Sequence, residues 1–196
     1  MAVFNPQHRV ALVGGGPGSF IIGAAHKPAM LMDNCFQIVG GAFSSNVDKS
    51  KASAKDYRVD PDRAYGSWLE MLEKEWVHPY GARVIVVGTP NHLHVPICEA
   101  AWGMGFHVIT DKPMSNDRPS AQRLFDLVTQ GGNGKQVFAI THNYMRNPMA
   151  IMAAEMVRNG DIGDVHMIVA NYLQGWLATA LENVAEGSGP LVSKGF

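Results

Sequence analysis

A glycine-rich segment near the amino terminus has the residue types and spacing of a phosphate-binding turn. Gly14, Gly16 and Ser19 stand at the three fixed positions of G-x-G-x-x-G, with Pro17 and Gly18 between them. Glycines there let the backbone turn tightly and approach a pyrophosphate, whose charge is met by free amide groups and the positive end of a helix dipole. Ser19 replaces the usual third glycine and is small enough to keep a helix and a strand close. Other α/β domains also place glycines in their first turn, so a plain turn is the alternative.

Two serines stand where a dinucleotide site selects its nucleotide, after the second apolar run. An NAD-specific site usually has Asp or Glu at this point, which accepts hydrogen bonds from the adenosine ribose. Ser44 and Ser45 would not repel a 2′-phosphate as an acid would, and Lys49 follows closely. The sequence therefore predicts NAD or NADP as the cofactor. Ordinary turn residues, with Lys49 as a solvated helix lysine, are the alternative interpretation.

Two further polar segments follow apolar runs in the middle of the chain. Thr89 to His94 come after the run 83–87, and Asp111 to Pro113 come after the run 106–110. In an open α/β sheet, ligands bind at the carboxyl ends of the strands. His92 and His94 have no accompanying cluster of carboxylates or cysteines, so we expect capping or cofactor packing and no metal. A lysine between an acid and a proline also suits a surface turn, but its place on the ligand edge favours a function for Lys112.

Apolar runs alternate with helical patterns along the first 145 residues. Strands are predicted over 9–13, 36–43, 83–87, 106–110 and 136–141, and helices over 20–32, 48–56, 67–74, 94–104 and 120–128. A parallel neighbour can be reached only by a crossover on the face of the sheet, and such crossovers are right-handed. This alternation predicts an α/β fold with a doubly wound parallel Rossmann sheet.

The pattern changes after Tyr144. A helix is predicted over 148–157, ended by Asn159 and Gly160, and a strand is predicted over 165–173. From Leu177 onward the sequence is weakly patterned. We therefore expect residues 1–145 to form a dinucleotide-binding domain and residues 146–196 to begin a second, α+β domain that is truncated.

Composition and charge narrow the function classes. Hydrophobic residues make up 46% of the chain and charged residues 17%, which is typical of a folded globular protein. The 16 basic and 17 acidic residues are interspersed, so nucleic acid and anionic membranes are not expected partners. No apolar stretch has the length of a membrane span, and no signal core opens the chain. Cys35 and Cys98 lie in apolar runs, which suits small buried hydrophobes in a reducing cytoplasm.

Taken together, these residues resemble the family that includes glucose-fructose oxidoreductase and inositol 2-dehydrogenase. The family pattern has a glycine-rich turn, a Thr-Pro-Asn stretch with a nearby His, then Gly, His and Val, and finally Glu-Lys-Pro. The chain has the corresponding segments Thr89-Pro90-Asn91, His94, Gly105-Phe106-His107-Val108 and Asp111-Lys112-Pro113. The segment 159–163 is similar to the family's turn into its second domain. The resemblance extends over about residues 9–176.

The resemblance implies an NAD(P)-dependent oxidoreductase that transfers a hydride between the nicotinamide and a secondary alcohol of a sugar or cyclitol. It implies that Lys112 is the catalytic lysine, whose ammonium stabilises alkoxide charge or relays a proton. Asp111 stands where the family usually has Glu, which is one methylene longer. The residues expected to bind the cofactor are Gly14, Gly16, Pro17, Gly18, Ser19, Phe20, Ser44, Ser45, Thr89, Pro90, Asn91, His94, Asp111, Lys112 and Asn143.

Members of that family extend well past this length. Their second domain holds most substrate contacts, supplies an Asp and a His that act with the lysine, and commonly mediates homo-oligomers. His142 is expected to be a cofactor-edge or structural residue rather than a replacement for that histidine. The chain is thus interpreted as the cofactor-binding part of an oxidoreductase, with a non-catalytic NAD(P)-binding module and an inactive fragment as alternatives.

Overall fold

A five-stranded parallel sheet forms the centre of the fold. The computed structural model describes residues 8–16, 25–32, 34–132 and 134–173. The strands are β1 (His8–Val13), β2 (Phe36–Ala42), β3 (Val84–Val87), β4 (His107–Thr110) and β5 (Phe138–Ile140). They lie in the order β2-β1-β3-β4-β5, and every neighbouring pair is parallel. The predicted doubly wound parallel sheet is confirmed.

Helices connect the strands, and several of these helices begin after a residue whose side chain caps the first turn. They are α1 (Lys27–Met32), α2 (Val47–Tyr57), α3 (Trp68–Val77), α4 (His94–Gly103), α5 (Arg118–Gln130) and α6 (Pro148–Asn159). The side chains of Asn46, Ser67 and Asp117 each accept a hydrogen bond from a backbone N–H in the first turn of α2, α3 and α5. Among the described residues, no helix is long and apolar enough to cross a membrane.

The sheet is buried on both faces because alternate residues of each strand point to opposite sides. Ala11, Val13, Ile85 and Val87 pack with side chains from α3, α4 and α5 in one apolar cluster. Their neighbours in the strands pack in a second cluster with α1 and α2; they include Val10, Leu12, Val84 and Val86. Because helices cover both faces of the sheet, the ends of the strands are the part of the sheet that remains uncovered.

A one-residue strand extends the sheet beyond β2. Ala64 forms an isolated parallel bridge with Gly41, and the N–H of Tyr65 donates to the Gly41 carbonyl at 2.9 Å. Counting this residue as a strand gives the order 3-2-1-4-5-6 known from dinucleotide-binding folds. The sequence analysis did not predict it, because a single paired residue has no hydrophobic period.

A second compact unit begins at Asn143, after the first unit ends at His142. Its helix α6 starts after Asn147, whose side chain accepts from the N–H of Met149, and ends at Gly160 in the left-handed conformation. The predicted strand over 165–173 is wrong, since these residues form no regular element. A strand requires a hydrogen-bonded neighbour, and the part of this unit that is described, 143–173, contains no second strand to pair with it.

Candidate functional site

The order of the strands reverses at β1, and this reversal creates a crevice at the carboxyl edge of the sheet. The chain first adds β2 on one side of β1 and later adds β3 on the other side. Ligands of open α/β sheets bind where the order reverses in this way. Two bonds continue the ladder to this edge: Gly88 N–H donates to Val13 O, and Asp111 N–H donates to Val87 O, both at 2.9 Å.

The turn after β1 approaches the neighbouring backbone so closely that only glycine fits. Gly14 has φ +95°, and a Cβ added there would lie 2.6 Å from the carbonyl oxygen of Gly88. A Cβ on Gly16 would lie 2.8 Å from the carbonyl oxygen of Phe43. Both positions therefore need the absence of a side chain, as the first two glycines of the dinucleotide-binding turn do. The other predicted residues of this turn, Pro17, Gly18, Ser19 and Phe20, lie outside the described residues.

Tyr57, which the sequence analysis missed, supports the glycine turn from α2. Its hydroxyl donates to the carbonyl oxygen of Gly15 at 2.6 Å, and its ring stacks on Phe43 with centroids 4.4 Å apart. Burial, aided by the charge of Asp56, raises the pKa of Tyr57 to about 12, so the phenol stays a hydrogen-bond donor at neutral pH. No local pattern could reveal a contact that spans 42 residues of sequence.

The loop after β2 presents hydroxyl groups rather than a carboxylate at the end of the strand. Ser44 is half-buried and its Oγ accepts a hydrogen bond from the N–H of Asn46 at 3.1 Å, whereas Ser45 is exposed. Asn46 in turn caps α2, and Asp48 and Lys49 lie exposed in the first turn of that helix.

Thr89 carries an unsatisfied polar atom at the carboxyl end of β3. Its Oγ1 is buried and has no hydrogen-bond partner among the described residues. A buried hydroxyl without a partner is unfavourable, so a group of a bound ligand is the natural acceptor or donor for it. Pro90 and Asn91 follow on the surface, and Asn91 begins a short 3-10 turn that leads into α4.

His94 is enclosed by protein rather than exposed to the crevice. The residue is 1% exposed, with Nδ1 2.7 Å from the carbonyl oxygen of Pro113 and Nε2 2.9 Å from that of Thr89. Both polar atoms of the ring therefore contact the backbone of the two loops that follow β3 and β4. The sequence predicted that His94 lines the cofactor cleft; a direct polar contact with a cofactor would require one of these backbone contacts to be given up.

Asp111 and Lys112 follow β4 and differ sharply in exposure. Asp111 is 8% exposed, and its Oδ1 accepts a hydrogen bond from Thr141 Oγ1 at 2.5 Å. The N–H of Thr141 donates to Thr110 O, which joins the ends of β4 and β5. Lys112 is exposed, precedes a cis peptide bond to Pro113, and forms no hydrogen bond or ion pair with any described residue.

His26 is a second residue that the sequence analysis did not single out. Burial lowers the pKa of His26, and the negative charge of Asp111 opposes that change. The carboxylate therefore acts electrostatically on an imidazole that comes from the start of α1. A lone histidine within an apolar helical pattern gives no sequence signal of this kind, because its partner lies after a different strand.

The two remaining candidates lie at the junction of the units. His142 is exposed, and its N–H donates to Ile140 O at 2.9 Å. Asn143 is exposed and starts a 3-10 turn in the second unit. The first unit thus brings Gly14, Gly16, Ser44, Thr89 and Asp111 to one edge of the sheet. Among the described residues, no group of three metal-binding side chains comes together.

These observations fit a dinucleotide. The glycine turn lies so close to the backbone that follows β2 and β3 that it admits no Cβ, and the unpaired Thr89 Oγ1 lies on the loop after β3. The first feature suits a pyrophosphate approached by backbone amides, and the second suits a polar group of the same ligand.

Comparison with known proteins agrees with this geometry. A family model described as an oxidoreductase family with an NAD-binding Rossmann fold matches residues 8–139. The uncharacterized oxidoreductase YfiI of Bacillus subtilis (strain 168) is 32% identical over 178 residues, which are 90% of this chain and 44% of that protein. Levoglucosan dehydrogenase of Pseudarthrobacter phenanthrenivorans is 26% identical over 174 residues, covering 86% of this chain and 42% of that enzyme.

A solved structure of an oxidoreductase also matches this chain. The inositol dehydrogenase homolog from Azotobacter vinelandii, complexed with NADH and myo-inositol, is 31% identical and superposes with a TM-score of 0.74. The match covers 81% of this chain and 41% of that one, so the chain spans less than half the length of these relatives. The chain belongs to the GFO_IDH_MocA oxidoreductase family, whose members have an NAD-binding Rossmann fold.

Proposed function

We propose that the chain is the cofactor-binding part of an NAD(P)-dependent oxidoreductase that acts on a secondary alcohol of a sugar or cyclitol. The observation that carries this proposal is the turn after β1, where a Cβ on Gly14 would meet Gly88 O after β3 and a Cβ on Gly16 would meet Phe43 O after β2. The substrate class is supported by relatives, one named for levoglucosan and another complexed with myo-inositol. The loop after β4 adds Lys112, whose ammonium has no partner among the described residues.

The cofactor contacts divide into three groups. The turn after β1 would hold the pyrophosphate through the backbone amide of Gly16, together with Pro17, Gly18, Ser19 and Phe20. Gly14 would shape this turn, since its own N–H donates to Ala42 O at 2.9 Å. Ser44 and Ser45 would meet the adenosine ribose. The nicotinamide half would be bordered by Thr89, Pro90, Asn91 and Asp111. When bound, the cofactor accepts or supplies the hydride at its nicotinamide ring.

In this proposal, Lys112 is the catalytic residue. When the substrate is reduced, the ammonium of Lys112 would donate a hydrogen bond to the carbonyl oxygen and then give its proton to that oxygen as the hydride reaches the carbon. When the substrate is oxidised, the proton of the hydroxyl would return to the amine of Lys112. Asp111 is held through Oδ1 by Thr141, which leaves Oδ2 for a hydroxyl of the cofactor. The hydrogen bond between Thr141 and Asp111 also holds the residue next to Lys112 in place, so the lysine side chain starts from an ordered position.

The proposal assigns residues 1–145 to the dinucleotide-binding domain and residues 146–196 to the beginning of the substrate domain. It also assigns the protein to the cytoplasm, because two cysteines within apolar segments suit a reducing compartment.

Replacing Lys112 by Ala in the enzyme that contains this chain tests the proposal. Loss of a positioned acid–base group should lower kcat with myo-inositol or levoglucosan about 100-fold or more. The dissociation constant for NADH, measured by fluorescence titration, should stay within about threefold, because pyrophosphate binding depends on the glycine turn. Lys55→Ala, an exposed lysine in the last turn of α2, is the matched control. Unchanged turnover in Lys112→Ala would contradict the catalytic assignment, and NADH binding without turnover in the parent would instead favour a non-catalytic module.

A further inference from the structure

His94 joins the two loops that carry the proposed site. Its imidazole lies between the carbonyl oxygen of Thr89, after β3, and that of Pro113, after β4, at 2.9 and 2.7 Å. The last bond of the ladder between these strands runs from Asp111 N–H to Val87 O. Beyond that bond, within the described residues, the hydrogen bonds between the two loops are those of His94. The imidazole of His94 therefore links the loops that follow β3 and β4 beyond the last hydrogen bond of the sheet.

The geometry of an imidazole makes this connection rigid. The two ring nitrogens lie on different sides of a planar five-membered ring, so the ring sets the separation of the two carbonyl groups that contact it. Carbonyl oxygens only accept hydrogen bonds, which means that a neutral imidazole donates to one of them and an imidazolium to both. The residue is 1% exposed, so water does not compete for these contacts.

Each of the bonded carbonyl groups belongs to, or adjoins, a residue of the proposed site. Thr89 carries the buried Oγ1 that lacks a partner. Pro113 directly follows Lys112, whose ammonium is the proposed catalytic group. The side chain of His94 thus contacts the backbone at Thr89, in the proposed cofactor site, and at Pro113, next to the proposed catalytic lysine.

We propose that His94 is a positioning residue that sets the distance between Thr89 at the cofactor and Lys112 at the substrate. This inference rests on the proposed function. It gives His94 a role that acts through the backbone of two loops, because both ring nitrogens contact backbone carbonyl oxygens.

The test measures how bound NADH protects Lys112 from acetylation by acetic anhydride, with peptide mass spectrometry as the readout and Lys55 as the internal reference. His94→Phe keeps a buried ring but removes the two nitrogens that contact the carbonyl groups, whereas His94→Gln keeps an N–H donor. Ile97→Val, fully buried on the same helix α4, controls for general loosening of the core. Circular dichroism confirms that each chain is folded, and a fluorescence titration gives its dissociation constant for NADH.

In the parent chain we expect saturating NADH to slow the acetylation of Lys112 about tenfold, and in His94→Phe less than about twofold, because a displacement near 1 Å disrupts a positioned contact. NADH should still bind to His94→Phe, since the glycine turn is unchanged. Ile97→Val should behave as the parent, and His94→Gln should recover part of the protection. Loss of protection without loss of binding is the result that a merely structural role would not produce.

Equal protection in the parent and in folded His94→Phe would overturn the inference while leaving the proposed function intact. A folded parent that does not bind NADH, or binds it without protecting Lys112, would instead contradict the proposed function. If His94→Phe does not fold, nitrogen-15 NMR of the parent decides. At least one ring N–H of His94 must then be protected from solvent exchange and shift when NADH binds. Rapid exchange of both ring positions, or no response to NADH, would overturn the inference.

Discussion

Ser44 occupies the position at which a dinucleotide fold distinguishes NAD from NADP. Its hydroxyl accepts a hydrogen bond from Asn46 N–H and carries no charge. An acid at the end of the second strand accepts hydrogen bonds from the ribose and repels a 2′-phosphate, and the serine does neither strongly. The choice between the two cofactors at this position therefore depends on charge.

Replacing Ser44 by Asp should shift binding toward NADH. The carboxylate can still accept from Asn46 N–H, but it places a negative charge beside the site of the 2′-phosphate. We expect the dissociation constant for NADPH to rise about tenfold or more relative to that for NADH, as like charges at close range require. Fluorescence titrations with both nucleotides measure the ratio. Asn has nearly the shape of Asp but no charge, so Ser44→Asn should leave the ratio of the two dissociation constants near that of the parent. An equal change of this ratio in Ser44→Asp and Ser44→Asn would contradict an electrostatic origin.

At the residue scale, sequence reasoning identifies residues whose constraint is local. Gly14 and Gly16 belong to a spaced motif, and the contacts of their missing Cβ atoms explain the motif. Thr141 and His94 are different, because their partners lie 30 and 19 residues away along the chain. No spacing rule connects such residues, so the roles of Thr141, Tyr57 and His26 emerge only from the folded chain.

At the scale of elements, Glu75 on α3 anchors the segment that forms the one-residue strand at Ala64. Its side chain is fully buried. Arg63 Nε and Tyr65 Oη donate to Oε1 at 2.9 and 2.7 Å, and Ala82 N–H donates to Oε2 at 2.7 Å. Burial acts to raise the pKa of Glu75, but these hydrogen bonds and the charge of Arg63 outweigh it and lower the pKa. The ionised carboxylate is therefore the form that the fold stabilises.

Glu75→Gln should reduce the free energy of unfolding by about 1–3 kcal/mol, because it leaves the half-buried guanidinium of Arg63 without its charged partner. Urea denaturation at neutral pH measures this change. Glu70→Gln on the same helix breaks only the exposed pair with Lys74 and should cost less than about 0.5 kcal/mol. A similar loss in the two variants would contradict the anchoring role of Glu75.

The same carboxylate gives the fold a dependence on acidity. A pKa lowered by folding contributes stability that is fully present above the unfolded value, about 4.3, and is lost as the pH falls through the folded value. The parent should therefore lose its advantage over Glu75→Gln as the pH is lowered below that point. A difference in stability that stays constant down to acid pH would show that Glu75 does not titrate as described.

Strands and helices were predictable where a continuous run of apolar residues or a polar capping residue marks them in the sequence. The four residues of β3 are all β-branched and all buried, and the helices α2, α3 and α5 begin directly after polar capping residues. The strand predicted over 165–173 failed because an apolar run does not reveal whether a partner strand exists. Ala64 was missed for the opposite reason, since it has a partner but no run.

At the scale of the whole molecule, the two compact units differ in how much they bury. The first unit has apolar clusters on both faces of its sheet. Between residues 143 and 173 of the second unit, every residue is exposed. The alternation of strands and helices made the architecture of the first unit predictable, because only a few topologies satisfy it. The described part of the second unit, 143–173, has one α-helix and no strand, so no alternation of elements constrains its architecture.

The central claim is that the first unit binds a nicotinamide dinucleotide through the turn after β1. A fluorescence titration of the folded chain with NADH tests it most directly, alongside Gly14→Ala and Gly103→Ala. Alanine at Gly14 would have a strained φ, costing roughly 1–3 kcal/mol, and would meet the Gly88 carbonyl. Alanine at Gly103 would meet nothing within 4 Å. We predict saturable binding by the parent and Gly103→Ala, and binding at least about tenfold weaker in folded Gly14→Ala. No binding by the folded parent, or equal binding by Gly14→Ala, would contradict the account.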